Sequence, residues 1–151
     1  MAEQQNPPPR IEHVNLVVTA IEPTAAFLTA AFPHWRIRGE GGGEWAGVPR
    51  RWVHLGDDDH YITLNEFRIP PAARGRHRDL QSAEPGLAHI GFVVADLDAL
   101  VRRLTDAGYE PDHMGEVHPH RRNLYYVDDQ GLEFEFVEYR SAIPAEKNLY
   151  Q

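Results

Sequence analysis

Glu135 is a carboxylate in the middle of a run of aromatic and β-branched residues, Leu124–Tyr139 (LYYVDDQGLEFEFVEY). The run reads as a β-hairpin whose loop, Asp128-Asp129-Gln130-Gly131, ends on a glycine able to take the left-handed backbone such loops need. Side chains alternate along a strand, which puts Glu133, Glu135, Val137 and Tyr139 on one face and Phe134, Phe136 and Glu138 on the other. The aromatic face is core, and a mid-strand acid on the opposite face needs a partner because a buried unpaired charge is costly. Glu133, near the strand start, and Glu138, on the core-facing side, read as structural. Two histidines stand at the same place in two short strand-like runs, His13 in HVNLVV and His89 in HIGFVV, and Asn15 shares the face of His13. The chain has no cysteine, so thiolate and disulfide chemistry are excluded and any bound metal is held by histidine and carboxylate. Tyr125 and Tyr126 point to opposite faces, so one donates its hydroxyl in the site while the other packs as core. Tyr126 is a candidate catalytic hydroxyl and Tyr125 a candidate substrate contact. His120, in the segment His118-Pro119-His120-Arg121-Arg122, is a second candidate catalytic group, able to move a proton. Trp45 and Trp52 flank a glycine-rich stretch, and Trp52 can wall a substrate pocket.

These residues sit in a duplicated frame. Residues 52–67 (WVHLGDDDHYITLNEF) lie over 124–139 without a gap, setting Thr63 against Glu135 and Glu66 against Glu138. His13–Val18 likewise matches His89–Val94, the difference in spacing falling in a glycine-rich loop, Gly39–Gly43. Each copy reads as strand, helix and three strands. In the first, strand Ile11–Val18 precedes a helix opened by Glu22-Pro23, with Ile21, Ala25, Leu28 and Phe32 on one stripe and Pro33 as its stop. Strands follow from Trp35–Arg38, Arg51–Gly56 and His60–Phe67. In the second, Leu87–Val94 leads to a helix capped by Asp96, with Leu97, Leu100, Val101, Leu104 and Ala107 in helical period and Gly108 closing it. Strands Tyr109–Val117, Arg122–Asp128 and Leu132–Tyr139 complete it. The organisation expected is an extended or disordered segment over residues 1–10, modules over 11–67 and 87–139, a linker over 68–86 and a tail over 140–151.

Composition narrows the partners. At 151 residues and 42% apolar content the chain builds one ordinary domain or two small modules. A formal charge of −8 argues against nucleic acid or an anionic membrane and leaves a small molecule as the ligand. Neither a signal pattern nor an apolar run of roughly 20 residues is present, so a cytoplasmic protein is expected.

Two βαβββ units, a strand-one histidine in each, and a last strand reading DDQGLEFEFVE together resemble the vicinal-oxygen-chelate superfamily of glyoxalases, bleomycin-resistance proteins and extradiol dioxygenases. The resemblance covers about Ile11 to Tyr139 and implies an α+β fold in which paired βαβββ modules form a cupped mixed sheet. It implies metal ligands at His13, position 63, His89 and Glu135. Three of these are ligand types; the fourth is Thr63, which becomes a candidate substrate contact with Asn15, Tyr125 and Trp52. A two-histidine, one-carboxylate set suits a divalent ion such as Fe, Mn, Ni or Zn and leaves positions for substrate. Glu66 is a reserve ligand if the strand register slips by one residue. The resemblance also implies a homodimer. Two functions follow: a divalent-metal enzyme of dioxygenase, lyase or transferase type acting on a substrate with vicinal oxygens, or a metal-free binding protein of the bleomycin-resistance type.

Overall fold

In the computed structural model, which describes residues 8–150, the eight strands fall into two sheets of identical topology. Strands β1 (His13–Val18), β2 (Arg36–Trp45), β3 (Val48–Gly56) and β4 (Tyr61–Phe67) form the first, in the order β1-β4-β3-β2. Strands β5 (Ile90–Val93), β6 (His113–Met114), β7 (Arg121–Val127) and β8 (Glu133–Tyr139) form the second, in the order β5-β8-β7-β6. In both, the first strand runs parallel to the last and the other neighbours are antiparallel. The fold is α+β, two βαβββ repeats each giving a mixed four-stranded sheet, as the duplication predicts. Most of the expectation for residues 1–10 falls on residues 1–7, outside the described residues.

The chain divides into two compact units, and the division does not follow the repeats. The first unit takes the chain through Ile21 and then His34–Ile69; the second takes Glu22–Pro33 and everything from Pro70. Helix α1 (Ile21–Ala31) therefore leaves the module expected over 11–67 and joins the second unit's core. The reason is aromatic packing. Phe27, fully buried, lies 5.2 Å from Phe134 and 5.1 Å from Tyr109, and Phe32 meets Phe92 at 5.0 Å. Each such ring pair adds roughly 0.5–1.5 kcal/mol to the burial itself. Thr24 fixes the depth of the helix by donating its hydroxyl to Asp128 Oδ2 at 2.6 Å. Helix α2 (Leu97–Asp106) belongs to the same unit and is capped by Asp96, whose side chain accepts the Ala99 N–H at 2.8 Å.

Three further expectations change. The glycine-rich stretch Gly39–Gly43 is strand, not loop: it lies within β2, with Gly41 opposite Trp52 on β3. The indole lies across the glycine so closely that a Cβ there would be 2.8 Å from Trp52 Cζ2, which is why a side chain is missing. β2 returns to β3 through Ala46 and Gly47, both left-handed (φ 52° and 75°), a two-residue turn of the mirror-image type that matches strand twist. The expected strand Tyr109–Val117 shrinks to His113–Met114. The tail contains a short helix, α3 (Pro144–Lys147).

The repeats also do not superpose without a gap. His54 pairs with Thr63 in the first sheet and Tyr125 with Glu135 in the second, so the β7–β8 loop is one residue longer. A one-residue shift exchanges the two faces of a strand. The structural counterpart of Tyr126 is thus Leu55, and both are buried, at 1% exposure.

Candidate metal and substrate site

In the second unit, the polar face of the sheet is assembled from three strands by period-two alternation. β8 supplies Glu133 and Glu135, β7 supplies Asn123 and Tyr125, and the residue just ahead of β5 is His89. The parallel β5–β8 register sets Ile90 against Phe134 and so brings His89 beside Glu133. Its imidazole spans the two acids: Nε2 lies 3.1 Å from Glu135 Oε2, and Nδ1 lies 3.3 Å from Glu133 Oε1. The partner that a mid-strand Glu135 requires is this ring.

Glu135 is held from its other side. Its Oε1 accepts a hydrogen bond from Asn123 Nδ2 at 2.8 Å and from the Tyr125 hydroxyl at 2.9 Å, leaving Oε2 turned to His89. The carboxylate is 17% exposed against 37% for His89, so water reaches the ring side of the pair more than the anchored side. Gly91 stands opposite Glu135, and a Cβ there would touch Oε2 at 3.5 Å. Burial, followed by the hydrogen bond to Glu135, pushes the Tyr125 hydroxyl above its ordinary value, so the phenol stays protonated as a donor.

His113 stacks on Tyr125 at 4.2 Å between centroids and 6° between planes, with its Nδ1 2.7 Å from Asp112 Oδ2. Asp112, His113 and Glu133 bring one ligand-type atom each within 4.8 Å of one another. A cleft of about 630 Å³ opens beside these groups, lined among others by His113, His118, Arg121, Asn123, Tyr125 and Tyr150. The tail closes one side of it. Arg121 donates to Lys147 O at 3.1 Å and lies over the Tyr150 ring, while His118 Nε2 meets Leu149 O at 2.8 Å.

Of the candidates from the sequence, His89, Glu135 and Tyr125 stand in one network. Tyr126 does not: it packs against Phe27 and Phe136 on the opposite face. The hydroxyl in the site is that of Tyr125. His120 turns to the tail, its Nδ1 3.6 Å from Glu146 Oε2, and the cleft-lining histidine of that segment is His118. Asn123, His113 and Glu133 were not singled out as site residues. The first follows from Tyr125 by the same alternation; Glu133 was discounted for lying near the strand start.

The first unit places His13, Asn15, Thr63 and Trp52 on one face of its sheet. His13 stacks on Tyr61 at 4.8 Å, Tyr61 on His54 at 4.7 Å, and His54 meets Trp52 at 4.7 Å, with the Arg38 guanidinium 4.5 Å above Tyr61. Burial, helped by the positive charge of His13 and Arg38, lowers the His54 pKa, favouring its neutral form. Glu12, hydrogen-bonded first to the Tyr61 hydroxyl (3.0 Å) and then to His13 (3.1 Å), is held below the usual carboxylate range. Thr63 is 4% exposed. Asn15 Oδ1 accepts from the buried Asn65 at 2.6 Å. Glu66 lies on the other face, bonded to the Ile21 N–H at 3.0 Å and to Arg51 at 3.1 Å, which removes it as a reserve ligand.

The His89–Glu135 pair fits a divalent ion. Two donor atoms each about 2.1 Å from one ion and at right angles to it stand about 3 Å apart. Glu135 also has its remaining oxygen tied down by Asn123 and Tyr125, the arrangement that orients metal ligands.

Comparison with known proteins agrees with the topology. The sequence model of the Glyoxalase/Bleomycin resistance protein/Dioxygenase superfamily matches residues 10–136. No curated protein sequence matches the chain. Among solved structures, a glyoxalase family protein from Bacillus cereus is similar at TM-score 0.71 and 24% identity, covering 93% of this chain and 100% of that one. A glyoxylase/bleomycin resistance protein/dioxygenase domain from Frankia sp. EAN1pec follows at 0.69 and 22%, covering 95% and 100%. The fosfomycin resistance protein FosX from Listeria monocytogenes, complexed with Mn(II) and sulfate, is similar at 0.59 and 19%, covering 91% and 96%. At these identities the likeness is one of fold. No helix among the described residues is long and apolar enough to cross a membrane.

Proposed function

The chain belongs to the Glyoxalase/Bleomycin resistance protein/Dioxygenase superfamily, and from there we propose that it is a divalent-metal enzyme acting on a small molecule that binds through two adjacent oxygens. His89 Nε2 and Glu135 Oε2 are the ligands in the second unit, and His13, the sequence counterpart of His89, is the candidate ligand of the first unit, where it lies against Tyr61 and Glu12. The observation that carries the reading is the pair 3.1 Å apart, with Glu135 anchored at its other oxygen by Asn123 and Tyr125. The Mn(II) bound by FosX supports a divalent ion as the cofactor class.

A bound divalent ion supplies Lewis acidity to the substrate oxygens. Asn123 and Tyr125 keep the Glu135 carboxylate oriented, the single Tyr125 hydroxyl proton being given to Glu135 Oε1. His118 also lines the cleft, its ring held between Leu149 O and the His120 N–H. Thr63 stands where a second carboxylate would serve as base, which favours dioxygenase, lyase or transferase chemistry over isomerisation. Turnover of catechols with matched oxygen uptake supports this ordering; turnover of glutathione hemithioacetals without oxygen reverses it.

The second reading, a metal-free binder of small planar molecules, is favoured by the ring ladder His13–Tyr61–His54–Trp52 under Arg38 in the first unit. It predicts tight ligand binding unaffected by a chelator. Homodimerisation is part of the proposal, because β5 is a sheet edge that carries the 71% exposed Val93. Sedimentation at micromolar concentration finding only the 17.2 kDa species contradicts it.

A further inference from the structure

We propose that Arg121, with Lys147 beside it, binds the carboxylate of a small organic acid at the end of the second unit's cleft farther from Glu135. This binding needs no metal ion. The chain carries a formal charge of −8, and Arg122, next to Arg121 on β7, pairs with Asp98 and Glu138. Arg121 and Lys147 differ: both are half-buried, and neither has a carboxylate partner among the described residues. Each is held on a phenol ring. The Arg121 guanidinium lies 5.1 Å from the centre of the Tyr150 ring, and Lys147 Nζ lies 4.7 Å from that of Tyr139. The β7–β8 register sets Tyr139 opposite Arg121, which brings the two positive charges to one end of the sheet.

The alternation that lines the cleft with Tyr125 and Asn123 lines it with Arg121 too. Arg121 gives one N–H to Lys147 O at 3.1 Å, and the rest of its fork has no hydrogen-bond partner among the described residues. A guanidinium fork matches a carboxylate at two points, which a lone ammonium does not. The histidines of the lining do not replace it. His113 is paired with Asp112, and His118 Nδ1 accepts the His120 N–H at 3.1 Å, which leaves the His118 proton on Nε2, given to Leu149 O. The nearby acids are engaged or exposed: Glu146 turns to Ser141 and His120, and Glu116, in the lining, is exposed. Exposed Met114, Val117 and Tyr150 give the cleft an apolar wall, and its volume of about 630 Å³ suits a small molecule. Roughly 13 Å of strand separates Arg121 from Tyr125, so an acid anchored at Arg121 has its apolar body directed along β7 toward Glu135.

The test titrates the full chain, freed of metal on a chelating resin and kept at low salt, with benzoate, benzamide and inorganic phosphate, followed by NMR. Benzoate binds wild type and shifts the Arg121 Nε–H resonance, while benzamide, its neutral analogue of the same shape, binds about 10-fold more weakly or worse. Arg121→Gln loses about 10-fold in benzoate affinity; Arg121→Lys, which keeps the charge without the fork, and Lys147→Gln each lose less. A wild type that binds no benzoate at millimolar concentration overturns the proposal. So does benzamide bound as tightly as benzoate, a comparison that stands even where Arg121→Gln fails to fold, or an Arg121→Gln variant that binds benzoate like wild type. Phosphate bound more tightly than benzoate overturns the choice of an organic acid. Because no metal is present, failure here is separate from failure of His89 and Glu135 as ligands.

Discussion

Glu66 and Glu138 perform the same task in the two repeats. Glu66 Oε2 accepts the Ile21 N–H at 3.0 Å and Arg51 Nη2 at 3.1 Å; Glu138 Oε2 accepts the Leu97 N–H at 2.7 Å and Arg122 Nη2 at 3.1 Å. Each carboxylate reaches from a sheet's last strand to the first residue of the helix in its own repeat. There it satisfies an N–H that no helical carbonyl can, at the end of the helix where negative charge is favoured.

Removing this clamp destabilises the fold in a pH-dependent way. Leu97 N–H first, and then Arg122, hold the Glu138 carboxyl below its ordinary range. With the folded pKa below the unfolded one, about 4.3, the stabilisation is present above that value and disappears as pH falls through the folded pKa. Glu138→Gln should cost on the order of 1.5–3 kcal/mol at pH 7, read from urea unfolding midpoints, and the gap to wild type should shrink steadily below about pH 4. A constant gap down to pH 3 contradicts the clamp.

The paired tyrosines should separate function from packing. Tyr125→Phe removes a donor from Glu135 and should weaken metal binding several-fold with little change in stability. Tyr126→Phe should leave metal binding alone. The Tyr126 hydroxyl is buried without a hydrogen-bond partner among the described residues, so its removal should be neutral or stabilise by up to about 1 kcal/mol. Reversed effects would place the wrong tyrosine in the site.

Phe27 tests the exchange of helix α1 between repeats. Phe27→Ala should cost about 3–5 kcal/mol, and amide exchange should accelerate first in β7 and β8, whose Tyr126 and Phe134 it touches. Acceleration confined to β1, β3 and β4 contradicts the assignment of the helix to the second unit.

The duplication, the sheet topology and the helix caps were legible in the sequence, because each depends on neighbours within a few residues or on a pattern repeated whole. Helix α1 was found in the right place, but a stripe of Ala25, Leu28 and Phe32 does not say which sheet it covers; the aromatic face of Phe134 and Phe136 decides that. Gly39–Gly43 resembles a loop until Trp52 is laid across it. The choice between Tyr125 and Tyr126 turned on one residue in the β7–β8 loop, invisible to a gapless comparison. Glu133 was passed over for its place at the strand start, although the parallel register is what sets His89 beside it.

Equilibrium titration of the metal-free full chain with Mn(II) or Zn(II) tests most directly whether His89 and Glu135 are ligands of one divalent ion. Wild type should bind one ion per chain. His89→Ala and Glu135→Ala should each lose more affinity than the roughly 10- to 100-fold cost of removing an outer partner. A wild-type chain that binds none of these ions, or His89→Ala and Glu135→Ala variants that bind as tightly as wild type, would contradict it.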